Sequence, residues 1–317
     1  MAVTLAAQSP GGGPDLSLRL AGLTLGFPVI NGSGTFDAIA ALRTFGDGLR
    51  ESFPFAAFVS KTITPHPRGG NRPPRLWETP AGMINSIGLP NKGLEGFLAH
   101  DLPELGTLAV PLVVSVAAFD HDGFARMVET VGARPEVAAL ELNVSCPNVK
   151  SGCVMGSDPR ETAELLEHVR PRTGKPLIVK LTPNVSDIAP IAIAAEQGGA
   201  DAVSLINTLR ALAIDHVSGR PALGAIRGGL SGPAVRAIAL DMTHSASSSV
   251  SVPVIGMGGI QCGRDALEFF DAGANCVAIG TENFRDPVAG LRVRDELAAA
   301  LAERGHGALQ RVVAPAR

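Results

Sequence analysis

The sequence predicts an α/β protein, a single-domain (β/α)8 TIM barrel with long inserted loops over its C-terminal face. Three observations carry that expectation. Eight short apolar runs are spread through the chain, amphipathic helical stretches separate most of them, and the length of 317 residues exceeds the roughly 250 that the bare fold needs. The runs are 27–31 (FPVIN), 55–63 (FAAFVSKTI), 111–117 (PLVVSVA), 138–143 (AALELN), 176–181 (PLIVKL), 201–207 (DAVSLIN), 252–256 (VPVIG) and 275–280 (NCVAIG). Near-continuous apolar runs mark strands covered on both faces, as parallel strands are.

The helices follow in the same order. Segment 158–170 opens with Asp-Pro, a start signal, and places Leu165, Leu166 and Val169 on one stripe. Segment 187–197 ends at Gly198-Gly199, and 263–272 and 287–304 follow the last two strands. A doubly wound sheet is the alternative, but it seldom needs eight equivalent units. No repeat of fixed period and no linker is visible, so residues 17–317 read as one catalytic-sized domain after a flexible leader, 1–16, that carries SPGGGP. The connections 64–107 and 208–232 are too long for plain βα loops, and long connections in a compact domain usually cover or build a site.

Composition excludes several classes. With 27 basic against 30 acidic residues the net charge is −3, which gives no support to a partner held by phosphate neutralisation; no nucleic acid is expected. Four cysteines, none in a CxxC pair, exclude a disulfide framework and disfavour a metal site. With no Tyr, one Trp and 12 Phe the core must be aliphatic. The amino-terminal segment lacks signal-peptide organisation, and runs such as 108–119 fall short of the roughly 20 residues of a membrane span. A cytoplasmic protein with reduced thiols and no membrane partner is the expectation.

In such barrels the active site lies at the carboxyl ends of the strands. Those ends read Asn31-Gly32-Ser33-Gly34-Thr35, Lys61-Thr62, Asn143-Val144-Ser145-Cys146-Pro147-Asn148, Lys180, Asn207-Thr208, Gly258-Gly259 and Gly280-Thr281. Charges and amides closing apolar runs cost several kcal/mol unless something pairs with them, so a polar ligand is implied. The glycines after strands seven and eight suit an anion bound by bare N–H groups, although tight turns alone also use glycine. Lys61 and Lys180 are either surface lysines at strand mouths or two cations beside a ring that becomes anionic on reduction, as a flavin does. Cys146 is either an inert buried thiol or, among Asn143, Ser145 and Asn148, a base or nucleophile, which requires a thiol pKa drawn toward neutrality. Cys146 and Cys153 lack a third soft ligand for a metal, and Cys276 reads as core.

The segments KTITPHPRGGNRPPRLWETPAGMINSIGLPN, ELNVSCPNVKSG, VKLTPNV, SLINTL, GGLSGP and PVIGMGG…GANCVAIGTENF, in this order over residues 18–287, resemble the dihydroorotate dehydrogenases. The resemblance implies an FMN-dependent barrel that oxidises dihydroorotate to orotate in pyrimidine biosynthesis. It implies that Cys146 is the base that removes the C5 proton while hydride leaves C6 for flavin N5. Lys61 would touch both FMN and substrate. Asn85, the backbone of Gly88 and Leu89, Asn143, Asn207 and Thr208 would hold the pyrimidine and its carboxylate. Lys180 would contact the flavin ring, and Ser33, Thr62, Ser115, Asn143, Ile206, Gly232, Gly258, Gly259, Gly280 and Thr281 would line the FMN site, the last few at its phosphate.

A cysteine at position 146 resembles class 1 of the family, and NVKSG together with INTLRALAIDHVSG…GGLSGP resembles class 1B. That class implies a homodimer joined to a partner subunit that carries FAD and a 2Fe-2S cluster and passes electrons to NAD; this chain has no cysteine cluster for one. A class 1A-like enzyme using fumarate, or a related flavin-dependent pyrimidine-reducing enzyme, is the alternative. Four departures stand out. Ser115 takes the place of an asparagine, Cys153 the place of a glycine, Arg72 the place of a proline, and Ala225-Ile226-Arg227 the place of Asn-Arg-Thr.

Overall fold

The computed structural model describes residues 13–145 and 154–309. All eight expected strands are present in one parallel sheet: Val29–Asn31, Phe58–Val59, Leu112–Val116, Val137–Asn143, Leu177–Lys180, Ala202–Leu205, Val254–Met257 and Cys276–Ile279. They are called barrel strands one to eight below. Strand one pairs with eight, and the order runs back from eight to two, so the sheet curls until strands one and two meet. That seam is not an ordinary ladder. Ala56 N–H donates to Val29 O (2.9 Å), and the Asn31 side chain supplies the next rung. Its Nδ2 donates to Val59 O and its Oδ1 accepts from Val59 N–H, both at 2.8 Å. A side-chain amide has the donor and acceptor of a peptide group, so Asn31 closes the cylinder where backbone cannot.

Strand two is shorter than its apolar run suggests. Only Phe58 and Val59 ladder onto Leu112 and Val113, and pairing resumes at a single bridge between Ile63 and Val116. Inward-facing side chains in the lower barrel are small or aliphatic: Ile30, Ala57, Val113, Ala139, Ile178, Ala202 and Ile255. Outward-facing residues such as Val114, Leu140, Val179 and Val203 pack beneath the helices in the larger core. Pro159–Val169 is capped by Asp158, whose carboxylate accepts from the N–H groups of Arg160 (2.8 Å) and Glu161 (3.3 Å), and Leu165, Leu166 and Val169 are buried as the stripe predicts. Ala189–Gln197, Gly263–Asp271 and Ala289–Glu303 occupy the other expected positions.

Two features were not anticipated. Leu18–Leu20 and Leu23–Leu25 form a hairpin through Ala21 and Gly22, both at positive φ, the two-residue turn whose twist matches paired strands. Its Leu18, Leu20 and Leu25 join the same apolar cluster as the lower barrel and plug the amino end. Residues 1–12 lie outside the described residues, but Asp15 N–H donates to Gly307 O (3.0 Å), Leu309 N–H donates to Asp15 O (3.0 Å), and Leu16 is buried.

The second feature is a correction to the expectation of long loops. The two long connections build a four-stranded antiparallel sheet in the order Leu209–Leu212, Arg227–Ser231, Gly82–Asn85, Leu76–Thr79. Gly229 opposes Asn85 at its centre. A Cβ at Gly229 would lie 1.9 Å from Thr208 Oγ1, so the close approach of this strand to the end of barrel strand six demands glycine. Among the described residues no helix is long and apolar enough to cross a membrane.

Candidate functional site

Strand ends and the antiparallel sheet together wall a cavity of about 1220 Å³ at the carboxyl end of the barrel. Of the sequence-predicted site residues, Ser33, Lys61, Thr62, Asn85, Gly88 and Leu89 line it. So do Asn143, Lys180, Ile206, Asn207, Thr208, Gly232, Gly258, Gly259, Gly280 and Thr281. Ser115 does not. It is fully buried behind the wall, where its hydroxyl shares a 2.9 Å bond with Thr62 Oγ1. An asparagine amide is longer than a serine hydroxyl, so Ser115 reaches the cavity only through Thr62. Cys146 and Cys153 lie outside the described residues; the described neighbours of that segment, Ser145 and Val154, both line the cavity.

One wall is cationic. Lys180 is only 6% exposed, and neither its ammonium nor that of Lys61 meets an acceptor among the described residues. Burial, and next the nearby charge of Lys180, push the Lys61 pKa down. The Lys61 stem runs over Gly34, where a Cβ would sit 2.8 Å from Lys61 Cδ. Two unpaired cations held together this way require an anion or an electron-rich group between them.

Around these lysines runs a chain of neutral polar groups. Ser33 Oγ donates to Ser60 O (2.8 Å) and shares a 3.0 Å bond with Thr62 Oγ1. Asn207 Nδ2 donates to Asn143 Oδ1 (3.2 Å) and to Ser145 Oγ (2.8 Å). The residue before Cys146 is thereby fixed by the end of barrel strand six. Asn184 Nδ2 donates to Thr182 Oγ1 (2.9 Å) and Thr208 O (3.2 Å), which ties strand five to strand six.

The opposite end is built from main chain. The N–H groups of Gly258, Gly259, Gly280 and Thr281 donate to no acceptor among the described residues. Gly258 and Gly259 hold φ at 136° and 82°, and a Cβ at Gly259 would lie 2.9 Å from Gly232 O. Unpaired N–H groups on left-handed backbone form an anion-binding concavity. A second pair occurs at Gly88 and Leu89, both at positive φ and both with N–H groups that lack acceptors among the described residues. Leu89 pays a steric cost for that conformation that only a fixed role of its backbone explains.

Sequence reasoning missed several wall residues. Asn184, Gln261, Glu282 and Arg285 all line the cavity. Asn184, Gln261 and Glu282 stand within a few residues of strand ends that had been singled out, so the signal was proximity to them. Glu141 and Ser204 are buried beneath the site with Oε1 and Oγ lacking partners, and nothing in an apolar run marks which of its polar residues faces inward.

Comparison with known proteins agrees with this geometry. The model of the family described as dihydroorotate dehydrogenase matches residues 15–301. The chain is 47% identical over 293 residues to the "Dihydroorotate dehydrogenase B (NAD(+)), catalytic subunit" of Desulforudis audaxviator, covering 91% of this chain and 93% of that one. It is 45% identical over 296 residues to the protein of the same name from Geobacter sulfurreducens, and 44% over 293 residues to that from Geotalea daltonii, each covering 92% of this chain and 95% of the relative. With a family match over most of its length and relatives this similar, the chain belongs to the dihydroorotate dehydrogenase family.

Proposed function

We propose that this chain is the FMN-binding catalytic subunit of an NAD-linked dihydroorotate dehydrogenase, oxidising dihydroorotate to orotate in pyrimidine biosynthesis. The observation that carries the reading is a cavity with two lysines on one wall, Lys180 buried and Lys61 half-buried, and four main-chain N–H groups at its other end, none with an acceptor among the described residues. Those features fit FMN, whose phosphate suits the N–H groups and whose ring, electron-rich once reduced, suits the lysines. When bound, FMN supplies the hydride acceptor.

The chain's own residues do the rest. The Gly88 and Leu89 N–H pair and the Asn85 amide receive the substrate carboxylate. Asn143 and Asn207 hold the pyrimidine amide edges, each amide offering both a donor and an acceptor. Cys146 takes the C5 proton on its sulfur, and Asn207, through Ser145, fixes where its segment begins. Lys61 and Lys180 stabilise negative charge as it builds on the ring.

The relatives' names, which specify a catalytic subunit and NAD(+), support electron transfer to NAD through a separate subunit; that this subunit bears FAD and a 2Fe-2S cluster is what the resemblance implies. Anaerobic single-turnover mixing with dihydroorotate tests the activity: the 450-nm-region flavin band should bleach within the mixing experiment, and a flavin that stays oxidised sinks the reading. Reoxidation of the reduced chain by NAD should then require the second subunit, whereas fast reoxidation by fumarate alone would argue for the partner-free class. The resemblance also implies a homodimer, which sedimentation measures directly.

A further inference from the structure

The glycine loops after barrel strands seven and eight are joined by a side-chain cluster. Glu282, directly after Gly280-Thr281, is 4% exposed and lines the cavity. Its carboxylate accepts from Arg285 Nη2 (2.5 Å) and Nε (3.1 Å), and from Arg292 Nη2 (2.9 Å). It also accepts from Gln261 Nε2 (3.4 Å), and Gln261 lies two residues beyond Gly259. The carboxylate therefore bridges both loops, and its charge is answered twice.

The two arginines are not equivalent. Arg292 is shared among Asp286 (2.7 Å), Glu296 (3.3 Å) and the Gln261 carbonyl (2.9 Å), so its charge is consumed within the protein. Arg285 is 70% exposed and, among the described residues, bonds Glu282 alone through one edge of its guanidinium. Its Nη1 has no acceptor among the described residues although the residue lines the cavity. Glu282 holds the Arg285 pKa above its ordinary value, so the group stays charged. Lys61 and Lys180 stand at strand ends two and five, and Arg210 stands on the antiparallel sheet. Arg236 lies against Gly259 but is paired with Asp265 and Glu268, whereas Arg285, four residues beyond Thr281, lines the cavity with an unused guanidinium edge.

The geometry points to Arg285, oriented by Glu282, as the residue that makes this end of the cavity prefer a phosphorylated flavin over riboflavin. The inference rests on the flavin reading above and adds a specificity determinant to it. Main-chain N–H groups offer partial charges that a neutral hydroxyl can also use, whereas a guanidinium discriminates for the dianion. Solvent screens so exposed a cation, which keeps the effect moderate.

The test uses the full-length chain stripped of flavin and titrated with FMN and with riboflavin, followed by flavin fluorescence. Wild type should bind FMN well ahead of riboflavin. Arg285→Ala should weaken FMN about tenfold, the scale of one charge-assisted contact, and leave riboflavin unchanged. Arg285→Lys should recover part of the loss, and added salt should narrow the gap in wild type more than in Arg285→Ala. Unchanged FMN affinity in Arg285→Ala, or equal losses for both flavins, overturns the proposal while leaving the flavin reading intact. A wild-type chain that binds neither flavin removes that reading and this proposal with it.

Discussion

The two ends of the barrel share strands and share almost nothing else. At the amino end the inward-facing Ile30, Ala57, Ala139 and Ile178 meet Leu18, Leu20 and Leu25 of the hairpin, and the space is closed with aliphatic carbon. At the carboxyl end, two to five residues further along the chain, the inward positions are Lys180, Asn143 and Thr62, and the lysine charge meets no partner among the described residues. The difference separates stability from function along one axis. The closed end lowers the free energy of the fold. The open end raises it and is tolerable because a ligand supplies the missing interactions.

That contrast breaks most sharply at the plug. Leu20→Ala, at a residue 1% exposed, should cost about 3 kcal/mol in chemical denaturation while the folded fraction reduces flavin at the wild-type rate. Equal losses in stability and in rate per folded molecule would mean that the two ends are coupled. Cys146→Ala probes the other end. It should slow flavin reduction by dihydroorotate about 100-fold with no change in the denaturation midpoint, and wild-type reduction kinetics would remove Cys146 as the base.

Lys61→Met should do two opposite things at once. Removing a half-buried ammonium that meets no acceptor among the described residues, while keeping its packing, should stabilise the flavin-free chain by about 1 kcal/mol, and the same change should weaken dihydroorotate-driven reduction. A destabilised variant would show that Lys61 has a partner in the free protein. The smallest effect is in pH. Because the Lys61 pKa lies below its ordinary 10.5 in the folded chain, the unfolded chain binds more protons in the window between the two values. Stability of the flavin-free protein should therefore rise with pH across that alkaline window relative to Lys61→Met, and the penalty should be constant below it. Urea midpoints for both proteins, measured at about pH 8 and about pH 10, read this difference.

Much of this was legible in the order of residues, and the failures are instructive. Parallel strands buried on both faces announce themselves as unbroken apolar runs, which is why all eight were located to within a few residues. Run 55–63 was overread, because Asn31 takes over hydrogen bonding at Val59 and the chain leaves the ladder until Ile63. The antiparallel sheet escaped notice because Arg227–Ser231, RGGLS, has little strand propensity of its own and forms between Leu209–Leu212 and Gly82–Asn85, the second of which is more than a hundred residues away in the chain. Ser115 was placed on the cavity wall by resemblance, but a shorter side chain cannot reach where an amide would.

The sequence by itself determined the barrel, the end at which chemistry gathers, and the identities of its lysines, amides and glycines, since these follow from local apolarity and from the expense of polar groups in apolar runs. Only the tertiary structure decided which of them share a cavity, that the two long connections join into its roof, and that Lys61, Lys180 and the glycine N–H groups meet no partner among the described residues. Those outcomes depend on contacts between residues far apart in the chain, and whether a polar group is satisfied is a property of its neighbours in space.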